Sequence, residues 1–225
     1  MADLDVALGR PEYWDEHYSK SDGEQPTHEW FRSFEDLEDF FHQNLFTAPG
    51  LTAADDPLIL HLGSGDSVIP LELSSRGYSH HICADFAPAL VSMMSERHKE
   101  VPGIRWLQMD VRDMVGLANK SVSVAFDKGT LDAMLHGSPW SPPADVLENT
   151  EKYMREVHRV LADDGVFLYI TFRQPHFMRI LLQRHGLWNL DCQVLGGHDG
   201  GFEYFGWVIR KAGVRQPGTP ETKES

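Results

Sequence analysis

Apolar positions change their period several times along this chain, and each change marks an element. Between Asp5 and Phe46, the residues Phe34, Leu37, Phe40, Phe41 and Leu45 recur at helical intervals among charged neighbours, which predicts one or two helices before the first strand. Leu58 to Leu62 is then a short apolar run broken only by His61, as a buried strand requires. Ile69 to Arg76 reads as a helix closed by Gly77, and His80 to Asp85 as a second strand. Pro88 opens a helix on which Leu90, Val91, Met94 and Arg97 share a face. Ile104 to Met109 and Val122 to Phe126 predict a third and a fourth strand. Asn149 to Leu161 predicts an amphipathic helix, and Val166 to Phe172 a fifth strand after an Asp163-Asp164-Gly165 turn. Strands that alternate with helices form a parallel sheet.

The last third breaks the alternation. Asp191 to Leu195 and Glu203 to Arg210 are strand-like and separated only by the glycine-rich stretch from Gly196 to Gly201, and so short a connection joins strands antiparallel. The fold class predicted is therefore α/β, with a Rossmann-like seven-stranded sheet that is mostly parallel, ends in a C-terminal antiparallel hairpin and carries an N-terminal helical cap. The expected boundaries are residues 1–50 for the cap, 51–212 for the core, and 213–225 for a polar, proline-containing tail without fixed structure.

Composition narrows the partners. A chain of 225 residues, 41% hydrophobic and 24% charged, suits one soluble domain. Its net charge of -14 argues against a nucleic-acid backbone, which needs clustered Lys and Arg, and favours a basic protein. Cys83 and Cys192 alone make neither a disulfide framework nor a zinc site, so no metal is expected and a reducing compartment is. An acidic beginning and the lack of a long apolar run point to a cytoplasmic protein away from membranes.

The chemistry starts where the first strand runs into Gly63-Ser64-Gly65, followed about twenty residues later by Asp85. This is the order of a nucleoside-binding βαβ unit: glycines for a tight turn and close backbone approach, then a carboxylate for ribose hydroxyls. Val68 stands where a dinucleotide fingerprint wants its third glycine, so NAD fits poorly. S-adenosyl-L-methionine carries no phosphate, and the spacing Gly63, Gly65, Ser67 resembles the E/D-x-G-x-G-x-G pattern of class I methyltransferases, with Ser67 for the last glycine and His61 for the acid.

A longer stretch is more specific. Asp127-Lys128-Gly129-Thr130-Leu131-Asp132-Ala133-Met134 resembles the D/E-K-G-T-L-D-A-L segment of the lysine methyltransferases of translation elongation factor 1A. Glu12-Tyr13-Trp14-Asp15-Glu16-His17-Tyr18 is similar to that branch's E-Y-W-D-x-R-Y motif, and Glu29-Trp30-Phe31 to its D-W-F. Met109 to Arg112 and Pro175 to Phe177 also match, so the resemblance runs from Glu12 to about Val208. It implies cofactor contacts at Trp14, Tyr18, Trp30, Gly63, Ser64, Gly65, Asp85, Phe86, Asp110, Val111, Asp127 and Lys128. Asp85 suits the ribose hydroxyls, Phe86 the adenine face, and Asp110 with the Val111 amide the adenine edge. The cap tryptophans suit a sulfonium cation. Any one strand-end aspartate is commonly a cap or turn former, but three at successive carboxyl ends fall where open α/β sheets bind ligands.

The function implied is transfer of a methyl group from S-adenosyl-L-methionine to a lysine of elongation factor 1A, with Asp127 or Asp132 orienting the amine and assisting loss of its proton. The loop from Ser138 to Pro143 is expected beside the acceptor. Two alternatives stay open, a small-molecule methyltransferase and a non-catalytic module that keeps the cofactor fold.

Overall fold

Seven strands, β1 (Ile59–Leu62), β2 (His81–Asp85), β3 (Ile104–Gln108), β4 (Val122–Lys128), β5 (Leu161–Thr171), β6 (Trp188–Leu195) and β7 (Tyr204–Lys211), form one sheet in the order β3-β2-β1-β4-β5-β7-β6. The structure is a computed structural model that describes residues 7–20, 29–183, 186–196 and 202–213. Strands β1 to β5 pair in parallel, and β7 lies antiparallel between β5 and β6. The predicted seven-stranded α/β fold with a closing hairpin is thus observed. Most of the predicted Gly196–Gly201 turn and the predicted tail beyond Gly213 lie outside the described residues.

The helices are α1 (Pro11–Ser19), α2 (Glu38–Phe41), α3 (Ile69–Ser75), α4 (Pro88–Arg97), α5 (Thr130–Ala133), α6 (Ala144–Val160) and α7 (Pro175–Leu182). Helix α2 is the middle of a helical segment that begins with a 3-10 turn at Glu35–Leu37 and ends as a π-helix at His42–Phe46. The five apolar residues that predicted this segment are all buried, against Ile59, Val124, Phe126 and Leu168 on one face of the sheet. A Cβ on Gly206 of β7 would lie 2.5 Å from Phe40 Cε2, so only glycine there admits the cap.

The other face is covered by α6, whose Val146, Thr150, Tyr153, Met154, Val157 and Val160 repeat at three and four residues and are buried. They pack with Leu60, Leu62, Ala125, Phe167 and Tyr169. Side chains of each central strand therefore go alternately to the cap and to α6, the period of a pleated strand.

Three boundaries differ from the sequence reading by three residues or more. Helix α6 starts at Ala144, five residues before the predicted Asn149, because the Pro143 N-cap and Val146 already set its face. Strand β6 starts at Trp188, where pairing with Lys211 of β7 extends the ladder beyond the strand-like run from Asp191. Strand β5 begins at Leu161 on Val122, and the ladder resumes at Val166 on Val124. The predicted Asp163-Asp164-Gly165 turn is therefore an irregularity within β5, and Asp163 projects from it to Lys120 and Lys211 at 2.7 and 3.3 Å.

No helix among the described residues is long and apolar enough to cross a membrane.

Candidate functional site

The strand order reverses between β2-β1 and β1-β4, and a cavity of about 260 Å³ opens at the carboxyl ends of these strands. In open α/β sheets this is the position of ligand crevices. Its floor is the turn after β1. Gly63 and Gly65 have φ of 59° and 54°, the left-handed region that favours glycine. A Cβ on Gly63 would lie 2.2 Å from Thr130 Oγ1, which donates to the carbonyls of Leu62 and Gly63 at 2.8 and 3.1 Å. Ser67, in the position of the missing third glycine, has no positive φ and needs no glycine; its hydroxyl accepts from the Ile69 amide and donates to Glu29.

Asp85 closes this floor from β2. Its Oδ2 accepts from the Gly65 amide at 3.1 Å and its Oδ1 from the Ala87 amide at 3.0 Å. Burial raises its pKa despite these bonds, so the carboxylate is short of charge-compensating donors. Ser64 Oγ, also on the lining, is buried with no hydrogen-bond partner among the described residues.

The cap supplies one wall. Trp14 and Tyr18, four residues apart on α1, stack with ring centroids 6.1 Å apart, and Trp30 meets Trp14 edge-on at 5.9 Å. Trp14 Nε1 donates to the Leu8 carbonyl at 2.7 Å. Burial, with the charges of Asp66 and Asp85, keeps the Tyr18 hydroxyl protonated. Lys128, at the end of β4, donates from Nζ to the Trp30 carbonyl at 2.6 Å and pairs with Glu29 at 2.8 Å. Its side chain is 6% exposed, and burial lowers its pKa while Glu29 opposes the shift. The Trp30 carbonyl also accepts from the Arg32 amide at 2.8 Å, closing a three-residue turn around Phe31 at φ 65°. Such a conformation is costly for a residue with a side chain and persists only where neighbours enforce it. Here Lys128 and the rings of Phe172 and Tyr204 do so.

From β3, Asp110 lines the cavity with Val111. Burial alone would raise Asp110, but the bonds and charge of Arg112 outweigh it and hold the carboxyl below its ordinary value; the closest contact is 2.8 Å. Arg112 is itself anchored on Asn149 at 2.9 Å.

The cavity brings together Trp14, Tyr18, Trp30, Gly63, Ser64, Gly65, Asp85, Phe86, Asp110, Val111, Lys128 and Asp132. Asp127 is the exception and is not on this lining. It is fully buried, and accepts from the Thr130 and Leu131 amides at 2.8 and 3.0 Å and from the Tyr153 hydroxyl of α6. Its place in β4 sends it to the α6 face, so it fastens the turn into α5 beneath the cavity. Burial pushes its pKa up to about 7. Asp132 does reach the lining, but its oxygens already accept from Tyr169 at 2.6 Å and Thr171 at 2.7 Å, and Arg173 lies 3.4 Å away. An uncommitted base it is not.

Sequence reasoning missed Glu29, Phe31, Phe172 and Arg173. Glu29 stood in a quoted motif, where its reach across the chain to Val68 and Lys128 had no local signal. Arg173 follows β5 and is held over the lining by the Leu135 carbonyl, a tertiary contact. Under the floor, His61 Nε2 and His81 Nδ1 lie 3.0 Å apart in a buried stacked pair. Burial lowers the pKa of both. Among the described residues no group of three or more His, Cys, Asp or Glu is placed to hold a metal.

Comparisons with known proteins agree with this architecture. A methyltransferase-domain family model matches residues 60–169. The chain is 32% identical to EEF1A lysine methyltransferase 4 of Bos taurus over 203 residues, covering 89% of this chain and 74% of that protein. It is 30% identical to the Mus musculus protein of the same name, with the same coverage. Among solved structures, a protein studied for conversion of a disulfide bond into a thioacetal group during echinomycin biosynthesis superposes with a TM-score of 0.65. It is 12% identical, and the match spans 90% of this chain and 93% of that one, a likeness of fold.

Proposed function

Because this chain belongs to the methyltransferase family of the EEF1A lysine methyltransferases, we propose that it methylates a lysine side chain of translation elongation factor 1A, with S-adenosyl-L-methionine as methyl donor. The observation that carries the reading is the 32% identity that runs through cap and core alike, over 89% of the chain.

The residues present fit the cofactor. Ser64 Oγ without a partner and the under-compensated Asp85 carboxylate offer polar positions on the floor. In this reading Asp85 takes the ribose hydroxyls, Asp110 and Val111 the adenine edge, Phe86 the adenine face, and Trp14, Tyr18 and Trp30 the amino-acid end with its sulfonium. When bound, the cofactor supplies a methyl group on positively charged sulfur, open to attack by a neutral amine.

This chain's part is to position that amine and exclude water. Phe31, Phe172, Met134 and Arg173 line the cavity and form the acceptor wall of the proposal; Phe172 and Arg173 follow β5, which β1 and β4 separate from β2 and Asp85. Asp132 positions Arg173 there. A guanidinium beside the entering side chain disfavours its ammonium form and lowers the amine pKa, as a neighbouring cation does for reactive lysines. Asp127 is assigned the supporting of α5 from below.

The test is incubation of the purified protein with methyl-labelled cofactor and purified elongation factor 1A, followed by mass spectrometry of the lysines. Label on a lysine of the factor is expected. Label confined to small amines would move the function to metabolite methylation, and none on any acceptor despite tight cofactor binding would leave a non-catalytic module.

A further inference from the structure

Trp140 stands at the tip of a loop between α5 and α6 with 81% of its surface exposed, unusual for so large an apolar side chain. The loop is built to hold it there. Ser138 and Ser141 form a bridge, and His136 pairs with Asp145 at 2.9 Å across the base. Gly137, at φ 75°, turns the chain against Pro143. Trp140 meets Phe177 of α7 edge-on at a centroid distance of 4.7 Å. One turn further along α7 is Ile180, 72% exposed, while Met178 and Leu182 of the same helix are buried in the core. Trp140, Phe177 and Ile180 thus form an apolar ledge on a loop and a helix that leave the cavity lining at Leu135 and Arg173, and Phe172, on that lining, is itself 44% exposed. Neighbouring apolar side chains left in water at the rim of a site are a mark of an interaction surface.

We infer that this ledge is the docking surface for a folded, basic protein substrate, which it holds while one lysine enters the cavity. The inference rests on the function proposed above. Two observations select the occupant. The loop and the helix that carry the ledge start just after the lining residues Leu135 and Arg173, so it stands beside the cavity that the entering side chain must reach. The chain also carries 34 Asp and Glu against 20 Lys and Arg, and Asp145 at the foot of the loop is 62% exposed, so a basic partner is attracted and a second copy of this chain is repelled.

The experiment compares the wild type with Trp140→Ala and Ile180→Lys, the second being an exposed change that leaves the core untouched. Each variant is measured for KM and kcat on intact elongation factor 1A, for calorimetric affinity for S-adenosylhomocysteine, and for sedimentation. Both variants are expected to raise KM about tenfold or more, in line with buried tryptophan anchors at interfaces. At saturation kcat and cofactor affinity stay at the wild-type level. An unchanged KM overturns the inference, as does a fall in kcat and cofactor affinity at constant KM. A concentration-dependent dimer lost only in the variants would assign the ledge to self-association and also overturn it. Failure of the wild type itself to label the factor would instead remove the functional reading, and the docking surface with it.

Discussion

The carboxyl ends of β2 and β4 look alike in the sequence, since each delivers an aspartate to the same edge of the sheet, yet the two have opposite destinations. Asp85 turns toward the cavity and is held by backbone amides, those of Gly65 and Ala87 among them, with no side-chain hydroxyl closing over it as Tyr153 does over Asp127. Asp127 turns away, and two amides and the Tyr153 hydroxyl surround its carboxylate. Parity in the strand separates them. In β4, Ala125 and Asp127 face α6 while Phe126 and Lys128 face the cap, so the residue that reaches the site side of β4 is the lysine. A carboxylate at a strand end thus faces the cavity or serves as a structural cap according to which sheet face it inherits.

The largest effect expected from breaking this contrast is on stability. Asp127→Ala strands two buried amides and a buried hydroxyl, costing roughly 1–3 kcal/mol for each group left without a partner. A fall in Tm of many degrees should follow in thermal unfolding of the free protein. If the variant instead keeps its Tm and loses only turnover, Asp127 is a reacting group and the contrast collapses.

Asp85→Ala should do the reverse. Loss of charge-assisted bonds to ribose, worth about 1.5–3 kcal/mol each, lowers affinity for S-adenosylhomocysteine by a factor on the order of ten or more, read by calorimetry. The same variant binding the ligand as tightly as the wild type would remove Asp85 from the proposed site.

Lys128→Met sharpens the picture from the cap side. It leaves Glu29 without its cation and releases the Trp30 carbonyl, so the strained turn at Phe31 loses a restraint. Cofactor affinity should fall by roughly fivefold, about 1 kcal/mol, and the tryptophan fluorescence change on ligand binding should shrink. A variant with unaltered fluorescence response would show that the cap holds its position without this latch.

The smallest effect is a pH dependence. His61 takes up a proton near pH 6.5 when unfolded, but its folded pKa is lowered by burial and by His81. Its contribution to stability is therefore full above about pH 6.5 and is lost as the pH falls. Asp127 has the opposite sign, since its folded pKa is raised to about 7 and its contribution is lost as pH rises through that value. Comparing the wild type with His61→Gln isolates the histidine. The difference in unfolding free energy between them, from thermal unfolding, should shift against the wild type from pH 7.5 to 5.5, by no more than about 1.4 kcal/mol per pH unit. A constant difference would mean that His61 does not gain a proton on unfolding.

The sequence by itself determined the sheet and the place of the site. Strand and helix periods, Gly63 with Gly65, and the change to a short connection after Asp191 are local signals. Together they specified seven strands with a closing hairpin and put a crevice beyond β1. Tertiary structure decided which groups near that crevice face it. Glu29 lies 39 residues from the Val68 amide it accepts from, and Arg173 lies 38 residues from the Leu135 carbonyl that holds it. Asp127 is committed to Tyr153 26 residues away. Periodicity is a property of neighbours along the chain and survives in the sequence. The partner that satisfies a buried charge is chosen by three-dimensional proximity, and only the folded sheet, with its cap on one face and α6 on the other, supplies that.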